Sequence, residues 1–200
     1  EVIRQHENDF GVDERVLNAS DDALLIGYWQ SEAYFADVTT ALRHELRFTR
    51  AVAAPYARFQ QVIDDPAAVA VHFRRGDYVA NPQTYAFHGV LGREYYRRAL
   101  VHVEDRVPNP VFVAFSDDPD WVEREFVSDF DLKVVRGGDA FQELHLMSRC
   151  SHHVIANSSF SWWGAWLGER EESVVVAPLR WFADPRADPS AIVPSRWQRL

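Results

Sequence analysis

The sequence predicts an α/β domain of the doubly wound kind, a parallel sheet flanked by helices. Three observations predict it. Short runs rich in β-branched and aromatic residues recur between residues 69 and 177, they are apolar without alternation, and stretches of helical character separate them. A strand reads as an unbroken apolar run when both of its faces are covered, as in a parallel sheet packed between helices. Regular alternation of such strands with helices is the signature of that architecture.

Along the chain, residues 1–65 come first and differ from the rest. They are helix-compatible, residues 34–50 especially, and lack a strong buried-strand run, so they read as a partial, helical N-terminal segment. Asp64-Asp65-Pro66 marks the boundary with an α/β domain at 66–200, because the residue before a proline avoids helix. Strands are expected at 69–73, 111–115, 133–135, 153–156 and 174–177, and helices at 93–105, 119–130, 140–150 and 160–170. In the third of these helices Phe141, Leu144, Met147 and Cys150 share one face and are expected in the core. The proline-rich stretch from Pro178 to Pro194 is expected to run irregularly over the surface.

With 200 residues, 47% of them hydrophobic, the chain can bury the core of one domain, or of one and a piece. A formal charge of −9 argues against nucleic acid as a partner, since a phosphate backbone is repelled unless basic residues are segregated on one face. Cys150, the single cysteine, rules out an internal disulfide and any cysteine-based zinc cluster. No run approaches the roughly 18 to 20 apolar residues that span a bilayer, and the opening Glu1-Val2-Ile3-Arg4 does not have the layout of a signal peptide. The expectation is a cytoplasmic chain that at most touches a membrane surface.

Three constellations carry chemistry. In the first, the run from Val69 to Phe73 delivers His72, Arg74, Arg75, Gly76 and Asp77 to the C-terminal end of a strand, where open α/β sheets bind ligands. Arginine offers a planar fork of donors to phosphate oxygens, which makes a diphosphate the natural ligand, and pairing of both arginines with nearby carboxylates is the alternative. In the second, Ser116 and Asp117 end a strand where a ribose or base could be held, and Asp118 before Pro119 reads as a helix N-cap. Asp118 and Asp120 also mimic the Asp-x-Asp pattern that holds a divalent cation, although two aspartates in a first helical turn are commoner as dipole partners. In the third, Asn157, Ser158 and Ser159 stand where a strand hands over to a helix, so hydroxyls and free N–H groups can converge on an anion. Trp162, Trp163 and Trp166 follow, and are expected mainly as buried bulk.

These residues resemble a known family. His72-Phe73-Arg74-Arg75-Gly76-Asp77-Tyr78 is similar to the His-x-Arg-Arg-Gly-Asp-Tyr motif of glycosyltransferase family 11, the α-1,2-fucosyltransferases, and the ten residues from Asn157 to Trp166 resemble its other strong signature. The nine residues from Gly27 to Phe35 and the segment from Ala177 to Phe182 also resemble family segments, so the likeness runs from about Gly27 to Trp197. The resemblance implies a GT-B-like architecture, GDP-β-L-fucose as donor, the 2-hydroxyl of a galactose-ended glycan as acceptor, inversion at the anomeric carbon, and neither metal nor cofactor. It implies that Arg74 is the main phosphate contact with Arg75 assisting or structural, that His72 and Glu143 lie near the guanine, that Asp117 serves the nucleoside side, and that Asn157, Ser158 and Ser159 hold phosphate or fucose. Asp77 is the candidate base by position, with the departing diphosphate as the alternative proton acceptor. A glycine-rich Gly-Gly-Leu-Gly-Asn-Gln-Met-Phe-Gln segment usual in the family is absent, which points to a chain carrying the nucleotide-binding half. A metal-dependent transferase using Asp118 and Asp120, or a non-catalytic GDP-sugar or glycan-binding module, are the competing readings.

Overall fold

The computed structural model describes residues 1–137 and 139–200. The first 65 residues are less helical than expected. β1 (Val2–Arg4) and β2 (Leu24–Ile26) pair in parallel as a separate two-stranded sheet, with α1 (Glu14–Leu17) between them in sequence. A 3-10 segment (Glu32–Val38) leads into α2 (Thr39–Glu45), and a second (Ala54–Phe59) leads into α3 (Gln60–Ile63). At three residues each, with only Ile3 buried among the six, β1 and β2 lack the apolar run that would have marked them as strands.

The main sheet follows. β3 (Ala68–Phe73), α4 (Gly76–Ala80), α5 (Pro82–His88), α6 (Arg93–Glu104), β4 (Val111–Ser116), α7 (Pro119–Phe126), β5 (Leu132–Val134), α8 (Ala140–Arg149), β6 (His152–Val154), α9 (Ser159–Gly168), β7 (Val175–Ala177) and β8 (Gln198–Arg199) succeed one another. The strands line up as β5-β4-β3-β6-β7-β8, every neighbouring pair parallel. Counted within the sheet this is third, second, first, fourth, fifth, sixth, the strand order of a dinucleotide-binding Rossmann fold. It is the α/β, Rossmann-like sheet of a GT-B domain. The order reverses between β3 and β6, and that reversal opens the crevice in which the site lies.

All six β3 residues are buried, so the strand reads as continuously apolar while its side chains still alternate between faces. Val69, Val71 and Phe73 pack with Tyr96, Leu100 and Val103 of α6 and with Val122 and Phe126 of α7. Ala68 and Ala70 pack on the other face with Ile63 of α3 and Leu146 and Met147 of α8. A third cluster joins Trp162 and Trp166 of α9 to Trp181, Ile192 and Trp197, and includes Phe10 from the N-terminal segment.

Three expectations are corrected. The buried stripe of α8 is Gln142, Leu146, Met147 and Cys150, whereas Phe141 is 42% exposed and Leu144 only half-buried. Gln142 hides this stripe from an apolar count: its Oε1 accepts from Ala53 N at 3.0 Å, which makes a polar side chain acceptable inside. The turn at Asp64-Asp65-Pro66 separates two elements but not two cores, since Tyr56, Phe59 and Ile63 before it are buried against the sheet. Residues 178–194 are irregular as expected, but Trp181, Phe182, Ala187, Ile192 and Val193 are buried and do not lie on the surface.

Candidate functional site

The C-terminal ends of β3, β4, β5 and β6 face a cavity of about 670 Å³. That volume lies inside the roughly 300–1,000 Å³ of small-molecule sites. Arg74 enters from the end of β3, Ser116 and Asp117 from β4, Arg136 and Gly137 from the turn after β5, and Ser158 and Ser159 from the turn after β6, with Glu143 contributed by α8.

Local chemistry fixes each group. A Cβ on Gly76 would lie 2.6 Å from Asp117 Oδ2, so glycine lets the Asp117 carboxylate sit close against the start of α4. Asp117 uses that approach to accept from Arg75 N at 2.9 Å and to pair with Arg74 Nη1 at 3.0 Å. Arg74 also donates to Asp77 Oδ1 at 2.5 Å. The guanidinium is thus held between two carboxylates at the cavity wall, with about a third of its side chain still exposed. Ser116 Oγ closes the adjoining turn by donating to Phe73 O and accepting from Asp118 N, both at 3.0 Å.

At the end of the adjacent strand β6, Ser158 is the N-cap of α9, in extended conformation, yet its side chain makes no capping hydrogen bond. The first turn of this ten-residue helix is thus left without a side-chain cap, and its residues Ser158, Ser159 and Phe160 line the cavity; a helix start of this kind can stabilise an anion by donors and dipole. His72 lies beside them, its ring centroid 5.5 Å from that of Phe160. Burial, then the nearby Arg74 charge, lower its pKa to about 3, so the imidazole is neutral at physiological pH. Burial acts oppositely on Glu143: desolvation first, then Asp117 and Asp139, push its carboxyl up to about 7.

Of the residues singled out from sequence, His72, Arg74, Asp77, Asp117, Glu143, Ser158 and Ser159 line this one cavity. Arg75 and Asn157 do not. Arg75 turns away, its Cζ 3.9 Å from the centroid of the Trp121 ring and its Nε 3.1 Å from Asp118 Oδ2, a stacked and paired arrangement that anchors the β4–α7 turn. Asn157 is 2% exposed and ties two loops together by donating from Nδ2 to His88 O at 2.9 Å and Trp181 O at 3.0 Å. Asp118 accepts from Trp121 N as the N-cap of α7, and Asp120 pairs with Arg136 at 2.6 Å. Among the described residues no group of three or more His, Cys, Asp or Glu is gathered to hold a metal, and no helix is long and apolar enough to cross a membrane.

Sequence reading missed Tyr78, His88, Arg136 and Gly137. The signal for the last two was present, since Arg136-Gly137 follows a predicted strand in the same way that Arg75-Gly76 does, and Gly137 has a φ of 89° that suits glycine. Tyr78 was quoted only as part of a motif; its OH donates to Asn157 O at 3.2 Å and its ring stacks on His88 at 4.6 Å.

The sequence profile of Glycosyl transferase family 11 matches residues 9–200. Among curated relatives, an alpha-1,2-colitosyltransferase of Escherichia coli is 35% identical over 179 residues, which is 88% of this chain and 61% of that protein. The O-antigen biosynthesis glycosyltransferase WbnK of Escherichia coli is 41% identical over 129 residues, 62% of this chain and 43% of the relative. A galactoside 2-alpha-L-fucosyltransferase SEC1 of Bos taurus is 38% identical over 104 residues, 50% of this chain and 28% of the relative. The chain thus spans less than two thirds of the length of these relatives. No solved structure gives a significant match.

Proposed function

The chain belongs to glycosyl transferase family 11, and we propose that it binds the donor for a glycosyltransferase that moves L-fucose from GDP-β-L-fucose to the 2-hydroxyl of a terminal galactose, with inversion. The observation that supports the reading is that Arg74 and the start of α9, at Ser158 and Ser159, line one cavity at the switch point. A diphosphate is the ligand we assign to them. Its charge grows as the sugar leaves, and fixed donors aimed at that charge lower the barrier without reorganising.

Each residue then has a role. Arg74 and the N–H groups at Ser158 and Ser159 hold the diphosphate. Glu143, in the first turn of α8, accepts from the guanine N1–H and 2-amino group, a pair of donors that adenine does not present. Neutral His72 and Asp117 flank the nucleoside, while Arg75 and Asn157 keep the surrounding turns in place. Asp77 is the carboxylate nearest Arg74 and is engaged by it in an ion pair, and the departing diphosphate is the alternative proton acceptor. The transfer is read as metal-free because Arg74 and α9 supply the positive field, and Asp118 and Asp120 are engaged by Arg75 and Arg136.

Calorimetry with GDP tests this directly. The chain is expected to bind GDP, and Arg74→Ala to weaken binding by about 10-fold or more, as loss of a charge-assisted contact of 1.5–3 kcal/mol implies. Equal affinity for both proteins would remove the site. Turnover is expected to persist in EDTA; its loss would transfer the diphosphate to a cation held by Asp118 and Asp120. A second reading, transfer of colitose in place of fucose, is favoured by the 35% identity to the colitosyltransferase. Side-by-side turnover of GDP-fucose and GDP-colitose decides between the two sugars.

A further inference from the structure

The aromatic segment from Gly27 to Gln30 has no part in the donor cavity, yet it builds one wall of a second cleft. That cleft is about 530 Å³ in volume and is faced by Gln5, Asn8 and Phe10 from the N-terminal segment and by Tyr28 and Gln30. Tyr78, His88 and Ser159 line both cavities, so the two are continuous at the start of α9.

Its construction is specific. Tyr28 is 77% exposed, an unusual position for a large aromatic ring, with Phe10 behind it at a centroid distance of 6.4 Å. The ring is not loosely hung: Tyr28 N donates to Gln5 Oε1 at 2.7 Å, and Gln5 Nε2 donates to Asp9 O at 2.6 Å. Gly27 permits this clasp, since a Cβ there would meet Gln5 Cβ at 2.6 Å.

Asn157 supplies an independent sign of a ligand. Both of its Nδ2 bonds go to carbonyl oxygens, which fixes the orientation of the amide and leaves Oδ1 as an acceptor. Among the described residues that buried Oδ1 has no partner, and Asn157 lines the cleft. A buried acceptor left unpaired is costly, and an O–H donor from a ligand would satisfy it. Among the described residues no lysine or arginine lines the cleft, while Glu7 contributes a carboxylate and His6 an imidazole, so its chemistry suits a ligand without negative charge, rich in hydroxyls and with one apolar face. A pyranose is such a ligand, its C–H face matching an aromatic ring and its hydroxyls matching carboxamides.

We infer that this cleft seats the terminal pyranose of the glycan acceptor, with the Tyr28 ring as its stacking face and Asn157 Oδ1 accepting from one of its hydroxyls. The inference rests on the transferase reading above for the word acceptor, since continuity through Ser159 brings a sugar hydroxyl in the cleft up to the donor cavity. Saturation-transfer NMR of lactose with the whole chain, with and without GDP, tests it. Galactose protons are expected to receive saturation from the unaltered protein, to lose about fivefold or more of it in Tyr28→Ala, and to keep it in Tyr28→Phe. No transfer to the unaltered protein, or equal transfer to Tyr28→Ala, overturns the inference. So does a Tyr28→Ala effect confined to the fucose protons of GDP-fucose, which would assign the cleft to the donor's own sugar. GDP calorimetry on the same samples separates the two readings: lactose contact that depends on Tyr28 without any GDP binding keeps a glycan site and discards the transferase.

Discussion

Glu143 is a carboxyl in a place that opposes its charge, and its protonation becomes a readout of the site. With a folded value of about 7, it is roughly half protonated at neutral pH, whereas the guanine contact proposed for it requires the ionised form as acceptor. GDP binding at pH 7 is therefore expected to release about half a proton, more toward pH 6 and none by about pH 8.5. Calorimetry in buffers of different ionisation enthalpy measures the release, and Glu143→Gln should abolish it. Release that survives in Glu143→Gln would place the titrating group elsewhere. The same shift affects stability without ligand. Because the folded value is raised above the ordinary 4.5, the contribution of the neutral carboxyl is fully present below about 4.5 and is lost as pH rises through about 7. Glu143→Gln should thus be the more stable protein at pH 8, on the order of 1–2 kcal/mol once solvent screening of a partly exposed group is allowed for, and gain little at pH 4.5. Urea titrations at the two pH values give the comparison. Arg74 and the serines could be singled out from the sequence because charged and hydroxylic residues at strand ends and helix starts have few structural reasons to cluster, and Glu143 came from the family resemblance; the structure brings all of them to one cavity. Arg75 shares that pattern, so the sequence leaves it open as assisting or structural, and the positions of the Trp121 ring and Asp118 show which way it turns.

At the scale of elements, α8 and α9 pack closely because small residues of α9 face α8 and its neighbouring loop. A Cβ on Gly164 would lie 3.0 Å from Met147 Cβ, and one on Gly168 would lie 2.7 Å from Ser148 O and 2.9 Å from the His153 ring. Neither of the Gly168 neighbours can give way easily, since one is backbone and the other is a buried imidazole 3.0 Å from Met147 O. Gly168→Ala is therefore expected to cost about 1–3 kcal/mol, with a melting temperature lower by roughly 2–4 °C for each kcal/mol. An unchanged melting temperature would mean that α9 can shift away. Such a shift would also move Ser158 and Ser159, and GDP affinity would then fall instead. The strands were the most legible elements: β3 and β4 stand within one residue of expectation because both are buried for nearly their whole length. β8 was missed because its two exposed residues, Gln198 and Arg199, carry no apolar signal. α5 was missed although Asn81 before Pro82 repeats the Asp118-Pro119 pattern, with Asn81 Oδ1 accepting from Gln83 N at 2.9 Å and Thr84 N at 3.2 Å.

In the molecule as a whole, residues 1–65 are bound into the sheet domain at several separate places. Phe10 packs on Phe182 at 4.6 Å, Phe35 stacks on Trp163 at 5.6 Å, and Glu32 pairs with Arg196 at 2.6 Å while accepting from Trp166 Nε1 at 3.3 Å. Tyr56, Phe59 and Ile63 lie within the core beneath the sheet itself. At roughly 1.5–3 kcal/mol for each large side chain fully buried, Phe10, Tyr56, Phe59 and Ile63 together represent a share comparable to the 5–15 kcal/mol that holds a typical domain folded. A division at Asp64-Asp65-Pro66 was the natural reading of a proline turn preceding a buried strand, but sequence distance conceals that the chain before the turn fills the same core as the chain after it. Residues 66–200 produced alone are accordingly expected to lack a cooperative unfolding transition. The whole chain should unfold in one step, with the same midpoint by tryptophan fluorescence and by far-ultraviolet circular dichroism. A sharp transition in the shortened chain, together with unaltered GDP affinity, would restore the boundary at 65 and leave the N-terminal segment with the second cleft alone.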